Sequence, residues 1–77
     1  MTKKEFIMLF EDLLEVEPGT LVGDEVLEEL DGWDSLGTVS FIAMVDEHIG
    51  ITPSPQKIEA ANSVRDLMDL LGDKITG

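Results

Sequence analysis

The apolar residues of this chain recur with the period of an α-helix, and no stretch alternates polar and apolar residues as a half-exposed strand does. A chain of 77 residues supports one small core, because so short a domain buries only about 60% of the surface that its unfolded chain exposes. The sequence therefore predicts an all-α fold in one domain over residues 1–77. Its expected form is a small four-helix bundle, with three longer helices, one short third helix and a long loop between helices 1 and 2.

The first helix is predicted over Lys3–Leu14, where Thr2 and Glu5 have the spacing of a capping box. Pro18 and Gly19 prevent this helix from continuing along the chain. Its core-facing side is predicted from the apolar residues spaced i, i+3, i+4 and i+7, which are Phe6, Leu9, Phe10 and Leu13.

The connection from Glu15 to Trp33 is longer than most loops in compact domains, and such loops often carry function. A helical turn is expected within Asp24–Leu30. Trp33 is expected to be a partly buried anchor that fixes how the chain enters the second helix. The apolar residues expected to hold the loop against the core are Leu21, Val22, Val26, Leu27 and Leu30.

Two apolar stripes mark the second helix, which is predicted to begin at Asp34, a preferred N-cap residue, and to end near His48 or Ile49. The stripe expected to face the core contains Thr38, Phe41, Ile42, Val45 and Ile49. The opposite stripe (the outer stripe) contains Leu36, Val39 and Ala43, flanked by Ser40, Asp46 and Glu47. Because one stripe is enough to join a core, the outer stripe and its flanking residues are predicted to form a docking surface for another protein. The alternative is that the long loop folds over this stripe.

The third helix is predicted to be short, with Ser54 as its N-cap and its end at about Ala61. The last helix is predicted to begin at Ser63, with Asp66 closing a second capping box. Its buried face is expected to contain Val64, Leu67, Met68 and Leu71. The residues after Asp73 are expected to fray.

The net charge of −12, from seventeen acids and five bases, restricts the possible partners. A surface of this charge repels nucleic acid and attracts basic protein surfaces. The alternative is that the acidity only keeps the chain soluble. No run of 18 apolar residues is present to span a membrane, and the N-terminal segment lacks the pattern of a signal peptide. We therefore expect a cytoplasmic monomer that binds neither nucleic acid nor membranes.

Enzymatic chemistry has little support in the sequence. The chain has no cysteine, which excludes disulfides, thiolate nucleophiles and cysteine-type zinc sites. Ser35 would need a general base, and the single histidine, His48, lies thirteen residues along the same predicted helix, about 20 Å away. The neighbouring Asp46, Glu47 and His48 cannot all face one metal ion from a helix. We therefore expect neither a catalytic residue nor a metal site.

The residues Asp34-Ser35-Leu36 open an apolar helix in a short acidic chain, and this combination resembles the acyl carrier protein family. The resemblance extends over the whole chain, from the first helix through Gly32-Trp33 to the capped last helix. It implies a discrete carrier in which a transferase attaches 4′-phosphopantetheine to Ser35, with Asp34 and Leu36 beside the attachment point. The thiol of that arm would hold acyl groups as thioesters for fatty-acid, polyketide or related specialised biosynthesis. The implied partners are a phosphopantetheinyl transferase and acyl-loading and acyl-transferring enzymes with basic or apolar docking surfaces.

Two positions depart from the pattern of that family. The family commonly has acids in the first half of its second helix, including one five residues after the serine, where this chain has Ser40. Gly37 stands where another acid is frequent. This departure favours a specialised pathway with its own partners over general fatty-acid synthesis. The alternative function is an acidic helical protein-interaction module without a prosthetic group.

Overall fold

Four α-helices make up the fold of residues 1–76, the part of the chain that the computed structural model describes. They are α1 (Lys3–Leu14), α2 (Ser35–Ile49), α3 (Pro55–Ala60) and α4 (Val64–Leu71), and single 3₁₀ turns lie at Leu27–Glu29 and Gly72–Lys74. This described part contains no β-strand, only isolated bridges between Thr2 and Thr76 and between Val26 and Ser63. The predicted all-α four-helix architecture, with its long loop between α1 and α2, is confirmed.

Helix α1 begins with the predicted capping box. The Glu5 N–H donates to the Thr2 hydroxyl at 3.1 Å, and the Thr2 N–H donates to the Glu5 carboxylate at 3.3 Å. The helix ends before Pro18, because Glu15 adopts a left-handed conformation with φ of 60° and its N–H donates to the Asp12 carbonyl. The end of α1 is therefore set by its own last turn.

The predicted buried face of α1 was wrong in part. Phe6, Phe10 and Leu14 are buried, whereas Leu9 and Leu13 are only partly buried. The row spaced i, i+4 and i+8 faces the core, and a residue three positions after a member of that row is turned by about 60° from it. Leu9 and Leu13 consequently lie at the edge of α1 that faces α2.

Aromatic rings form the centre of the core. Phe41 packs edge-on against Phe6 and Phe10, with ring centroids 6.0 Å apart in both pairs. Trp33, just before α2, is partly buried and lies 5.4 Å from the Phe10 ring and 6.0 Å from the Phe41 ring. The predicted role of Trp33 as an anchor is confirmed, and it joins the end of the loop to both α1 and α2.

The long loop is held to the core by fewer apolar residues than expected. Leu21 and Leu27 are buried and Leu30 is partly buried, but Val22 and Val26 are 75% and 44% exposed. The expectation was wrong for these two valines. Backbone hydrogen bonds, and not buried valine side chains, attach this part of the loop to the rest of the fold. The loop residue Leu27 donates its N–H to Asn62, and Glu25 accepts one from Val64, so this strand-like segment lies along the start of α4.

Glu11 makes an attachment that the sequence pattern did not reveal. Its side chain is only 2% exposed, and its carboxylate accepts the N–H of Leu21 at 2.9 Å. A buried carboxylate with a backbone donor links the last turn of α1 directly to the loop ten residues later. Glu11 therefore contributes a polar connection inside an otherwise apolar core.

Helix α4 follows the prediction, and the segment after it does not. The Ser63 and Asp66 capping box is present, and all four predicted core residues of α4 are buried. The expected fraying after Asp73 was wrong, because Thr76 pairs with the start of the chain. Its N–H donates to the Met1 carbonyl at 2.8 Å, and its carbonyl accepts the Lys3 N–H at 3.0 Å. That expectation also covered Gly77, which lies outside the described residues.

None of the helices formed by residues 1–76 has the length and apolar character needed to cross a membrane.

Candidate functional site

The start of α2 is organised by Asp34, whose backbone is extended and whose side chain caps the helix. Its carboxylate accepts the Gly37 N–H at 2.8 Å, and its carbonyl accepts the Thr38 N–H at 2.9 Å. Ser35 follows as the first residue of α2, and its side chain is exposed. The prediction that Asp34 is the N-cap is confirmed, and the cap fixes the backbone from which the Ser35 hydroxyl projects.

A cavity of about 450 Å³ opens beside Ser35, between α2 and α3. Its apolar walls include Trp33, Val39 and Ile42 from one side and Pro55 from the other. Asp34, Thr38 and Glu59 supply polar groups around it. Of these residues, Asp34, Ser35 and Val39 were predicted from the sequence to have site roles. Ile42 was placed in the core stripe, and nothing local in the sequence indicated that Pro55 and Glu59 would meet Ser35.

The chemistry of this helix start suits a phosphate ester. The first N–H groups of an α-helix have no acceptor within the helix, and the helix dipole places partial positive charge there. Asp34 uses the N–H of Gly37, which leaves those of Ser35 and Leu36 oriented for an acceptor from outside the helix. An exposed serine hydroxyl at this position can therefore carry a phosphodiester without a buried charge.

His48 does not approach Ser35. It lies in the last turn of α2, where it lines a cavity with Met1, Glu5 and Met8 near the start of α1. The α2 helix separates it from Ser35 by thirteen residues, about 20 Å along the axis. The single histidine of the chain is therefore not positioned to act as a general base for Ser35. The described residues also contain no cluster of three or more histidine, aspartate or glutamate side chains arranged for a metal ion.

The outer stripe is exposed, and the long loop does not cover it. Leu36 is 73% and Val39 is 62% exposed, and Ala43 is exposed one turn further along. Its flanking residues Ser40, Asp46 and Glu47 are also exposed.

The predicted docking residues border two different cavities. Val39 borders the cavity beside Ser35, on the side of α2 that faces α3. Ser40, Ala43 and Glu47 instead border a groove between α2 and α1. The exposed side of α2 therefore lies between two surfaces, one that contains Ser35 and one that does not.

The model of the phosphopantetheine attachment site family, PP-binding, matches residues 4–71. The match runs from the first turn of α1 to the end of α4 and contains Ser35. Proteins of this family carry covalently attached 4′-phosphopantetheine, and their domains are carriers and not catalysts. Searches of curated proteins and of solved structures gave no significant match. With nearly the whole helical bundle matched, this chain belongs to the phosphopantetheine attachment site family, in agreement with its resemblance to acyl carrier proteins.

Proposed function

We propose that this chain is an acyl carrier protein, one carrier domain over residues 1–77, whose 4′-phosphopantetheine arm is attached to Ser35. The observation that carries the proposal is the position of Ser35 as the exposed first residue of α2, directly after the Asp34 cap. A transferase can reach the hydroxyl there, and the helix start favours the phosphate that the reaction leaves on it. Leu36, exposed next to Ser35, offers an apolar contact to a visiting enzyme.

The proposed cargo is an acyl group held as a thioester on the thiol of the arm. The chain has no cysteine of its own, so the thiol that carrier chemistry needs is supplied by the arm when it is bound. The cavity beside Ser35 supports this proposal, because Trp33, Val39 and Ile42 provide an apolar wall next to the attachment point. An acyl chain could take partial shelter there, since small helical bundles open locally at low cost.

The proposed partners are a phosphopantetheinyl transferase and enzymes that load or remove acyl groups. The outer stripe and its acidic flanks suit partner surfaces that are apolar or basic. The biosynthetic setting is fatty-acid, polyketide or related specialised metabolism. Ser40 and Gly37, where carriers of general fatty-acid synthesis often have acids, favour the specialised setting.

Intact mass spectrometry tests the attachment. The purified chain, incubated with coenzyme A and a broad-specificity phosphopantetheinyl transferase, should gain the mass of one phosphopantetheine. Ser35→Ala should gain nothing, whereas the matched variant Ser40→Ala, exposed on the same helix, should be modified like the wild type. An interaction module without a prosthetic group would stay unmodified in all three cases. Modification of the Ser35→Ala chain would place the attachment elsewhere.

The Ser35→Ala result is informative only if the variant folds. The Ser35 side chain is exposed and its removal should change the free energy of unfolding by less than about 1 kcal/mol. Thermal unfolding followed by circular dichroism should therefore give nearly the same midpoint for the variant and the wild type. A large loss of stability would give Ser35 a structural role instead.

A further inference from the structure

A groove runs between α1 and α2 on the side of α2 that faces away from the cavity beside Ser35. It consists of two cavities, of about 380 and 350 Å³, which share Leu9 and His48 in their walls. Its apolar floor is formed by Leu9 and Leu13 of α1 and Met44 of α2, all partly buried. Met8, 55% exposed, and Ala43 extend this floor on either side. The α1–α2 groove therefore exposes apolar surface that the fold itself does not use.

The rim of this groove is acidic on both sides. Glu5 and Asp12 stand on the α1 side, and Glu47 stands on the α2 side. Among the described residues, none of the lysines and arginines lines either cavity, and the basic groups at the groove are His48 and the N-terminal amine of Met1 at one end. An apolar floor between acidic rims is complementary to an apolar stripe between basic residues.

The length of the groove matches a short helix. Its lining residues on α1 run from Glu5 to Leu13, which corresponds to about 12 Å along the axis, or two turns of a partner helix. A helix that lays one apolar face into such a groove needs anchors at i, i+3 or i+4 and i+7. The spacing of Leu9 and Leu13 on the floor suits contacts of this kind.

We propose that the α1–α2 groove is a second docking site, which holds a basic amphipathic helix of a partner protein away from Ser35. The docking surface predicted from the sequence lies on α2 alone, whereas this site takes one wall from Met8, Leu9 and Leu13 of α1. A partner bound there leaves the surface around Ser35 open to an enzyme. One partner can thus hold the carrier through the α1–α2 groove while an enzyme acts at Ser35 through the other surface.

A second copy of this chain is a poor occupant of the groove. Each copy has a net charge of −12, and two such surfaces repel one another at close range. The outer stripe, the most exposed apolar stretch of helix that another copy could offer, is flanked by Asp46 and Glu47 and not by bases. Charge complementarity therefore selects a basic partner.

The test uses a synthetic amphipathic helix of about 15 leucines and lysines, long enough to be helical when bound. It is titrated into the full-length, ¹⁵N-labelled chain at physiological ionic strength, and a peptide of the same composition in scrambled order serves as the control. Amide shifts should concentrate at Leu9, Leu13 and Met44. The Ser35→Ala chain should show the same shifts, which separates this result from the proposed attachment of phosphopantetheine.

Two double variants of equal charge provide the matched comparison. Asp12→Lys with Glu47→Lys alters the rim of the groove, and Glu28→Lys with Glu29→Lys alters exposed acids of the loop. Each pair changes the net charge from −12 to −8, since each replacement of an acid by lysine adds two charges. The groove variant should bind the peptide about tenfold more weakly, and the loop variant within about threefold of the wild type.

Equal weakening in both double variants would mean that overall charge alone attracts the peptide, and would overturn the proposal. Shifts centred on Leu36 and Val39, or no preference over the scrambled peptide, would overturn it as well. Analytical ultracentrifugation tests the remaining occupant. If the wild-type chain sediments as a dimer, and only the groove variant changes dimer formation, the groove binds a second copy instead.

Discussion

A Cβ atom added at Gly37 would lie 2.8 Å from the carbonyl oxygen of Gly32, a distance that real Cβ atoms essentially never show. Gly37 is buried in the first turn of α2, and Gly32 is the residue that brings the long loop to this turn. The absence of a side chain at Gly37 therefore lets the loop end pack against the helix start that presents Ser35. An acid at this position, frequent in the family, could not be accommodated without moving one of the two segments.

We predict that Gly37→Ala destabilises the fold by about 1–3 kcal/mol, because the new methyl group presses on a backbone oxygen. Replacing glycine by alanine inside a helix ordinarily stabilises the helix by about 0.5–1 kcal/mol. The sign of the change in the free energy of unfolding therefore shows whether the close contact with Gly32 dominates. Urea unfolding measures it, with the exposed Ser40→Ala as the helix control, expected within about 0.5 kcal/mol of the wild type. A Gly37→Ala chain more stable than the wild type would show that the contact yields easily.

Glu11 supports a second prediction about stability. Glu11→Ala leaves the Leu21 N–H without its buried acceptor, and should cost about 1–3 kcal/mol. Glu11→Gln keeps an acceptor in place and should lose less. Asp12→Ala, exposed at the next position, is the control and should be nearly neutral. Hydrogen exchange at the Leu21 amide should accelerate in Glu11→Ala, and an unchanged rate there would show that this bond does not hold the loop.

The loop also contains a carboxylate whose ionisation affects stability. Burial raises the pKa of Glu25. The N–H groups of Val22 and Gly23 lower it, because they donate to the Glu25 carboxylate at 2.8 and 2.9 Å. The hydrogen bonds have the larger effect, and the pKa of Glu25 lies below the ordinary 4.5. Because the pKa of Glu25 is lower in the folded chain than in the unfolded chain, its ionised side chain stabilises the folded state. This stabilisation is fully present above pH 4.5 and is lost as the pH falls through the pKa of the folded state.

Glu25→Gln should therefore be less stable than the wild type at neutral pH, by about 1 kcal/mol. The difference should shrink as the pH is lowered below the ordinary carboxyl value. Glu28→Gln, which removes the same charge from an exposed position in the same loop, provides the control in urea unfolding across the pH range. A difference between Glu25→Gln and Glu28→Gln that stays constant with pH would contradict this account.

Local signals in the sequence predicted the helices well, because each depends on neighbours along the chain. The capping boxes at Thr2 and Ser63, and the N-cap at Asp34, involve residues three positions apart and form as expected. The spacing of its apolar residues likewise predicted the outer stripe of α2, which is exposed. The start of α2, and with it the position of Ser35, could therefore be predicted without tertiary information.

Features that depend on distant parts of the chain could not be predicted. Thr76 is ordered by Met1, 75 residues away, and no local pattern encodes that pair. Glu11 is a charged residue whose burial depends on the loop that returns over α1. Leu9 borders the groove between α1 and α2 and is only partly buried, although its spacing from Phe6 predicted that both residues would face the core.

The last prediction concerns the two faces of α2, represented by Val39 and Ser40. Val39 is exposed and borders the cavity beside Ser35, whereas Ser40 borders the α1–α2 groove. An enzyme that acts on the proposed arm at Ser35 should contact the surface around Val39 more closely. A charge at Val39 would be buried in that contact without a partner, and a charge at Ser40 would stay near solvent.

Val39→Asp should therefore lower the rate of loading by the native acyl-loading enzyme about tenfold, a loss that corresponds to one poorly paired polar group in an interface. Ser40→Glu should change that rate by less than about threefold, yet improve recognition by an enzyme of general fatty-acid synthesis, because it restores an acid that such carriers often have. Steady-state kcat/KM values with both enzymes measure the effects, and Val39→Ala separates lost contact from added charge. If the wild-type chain already serves the general enzyme as well as that enzyme's own carrier does, specialisation is wrong and Ser40 is a neutral replacement.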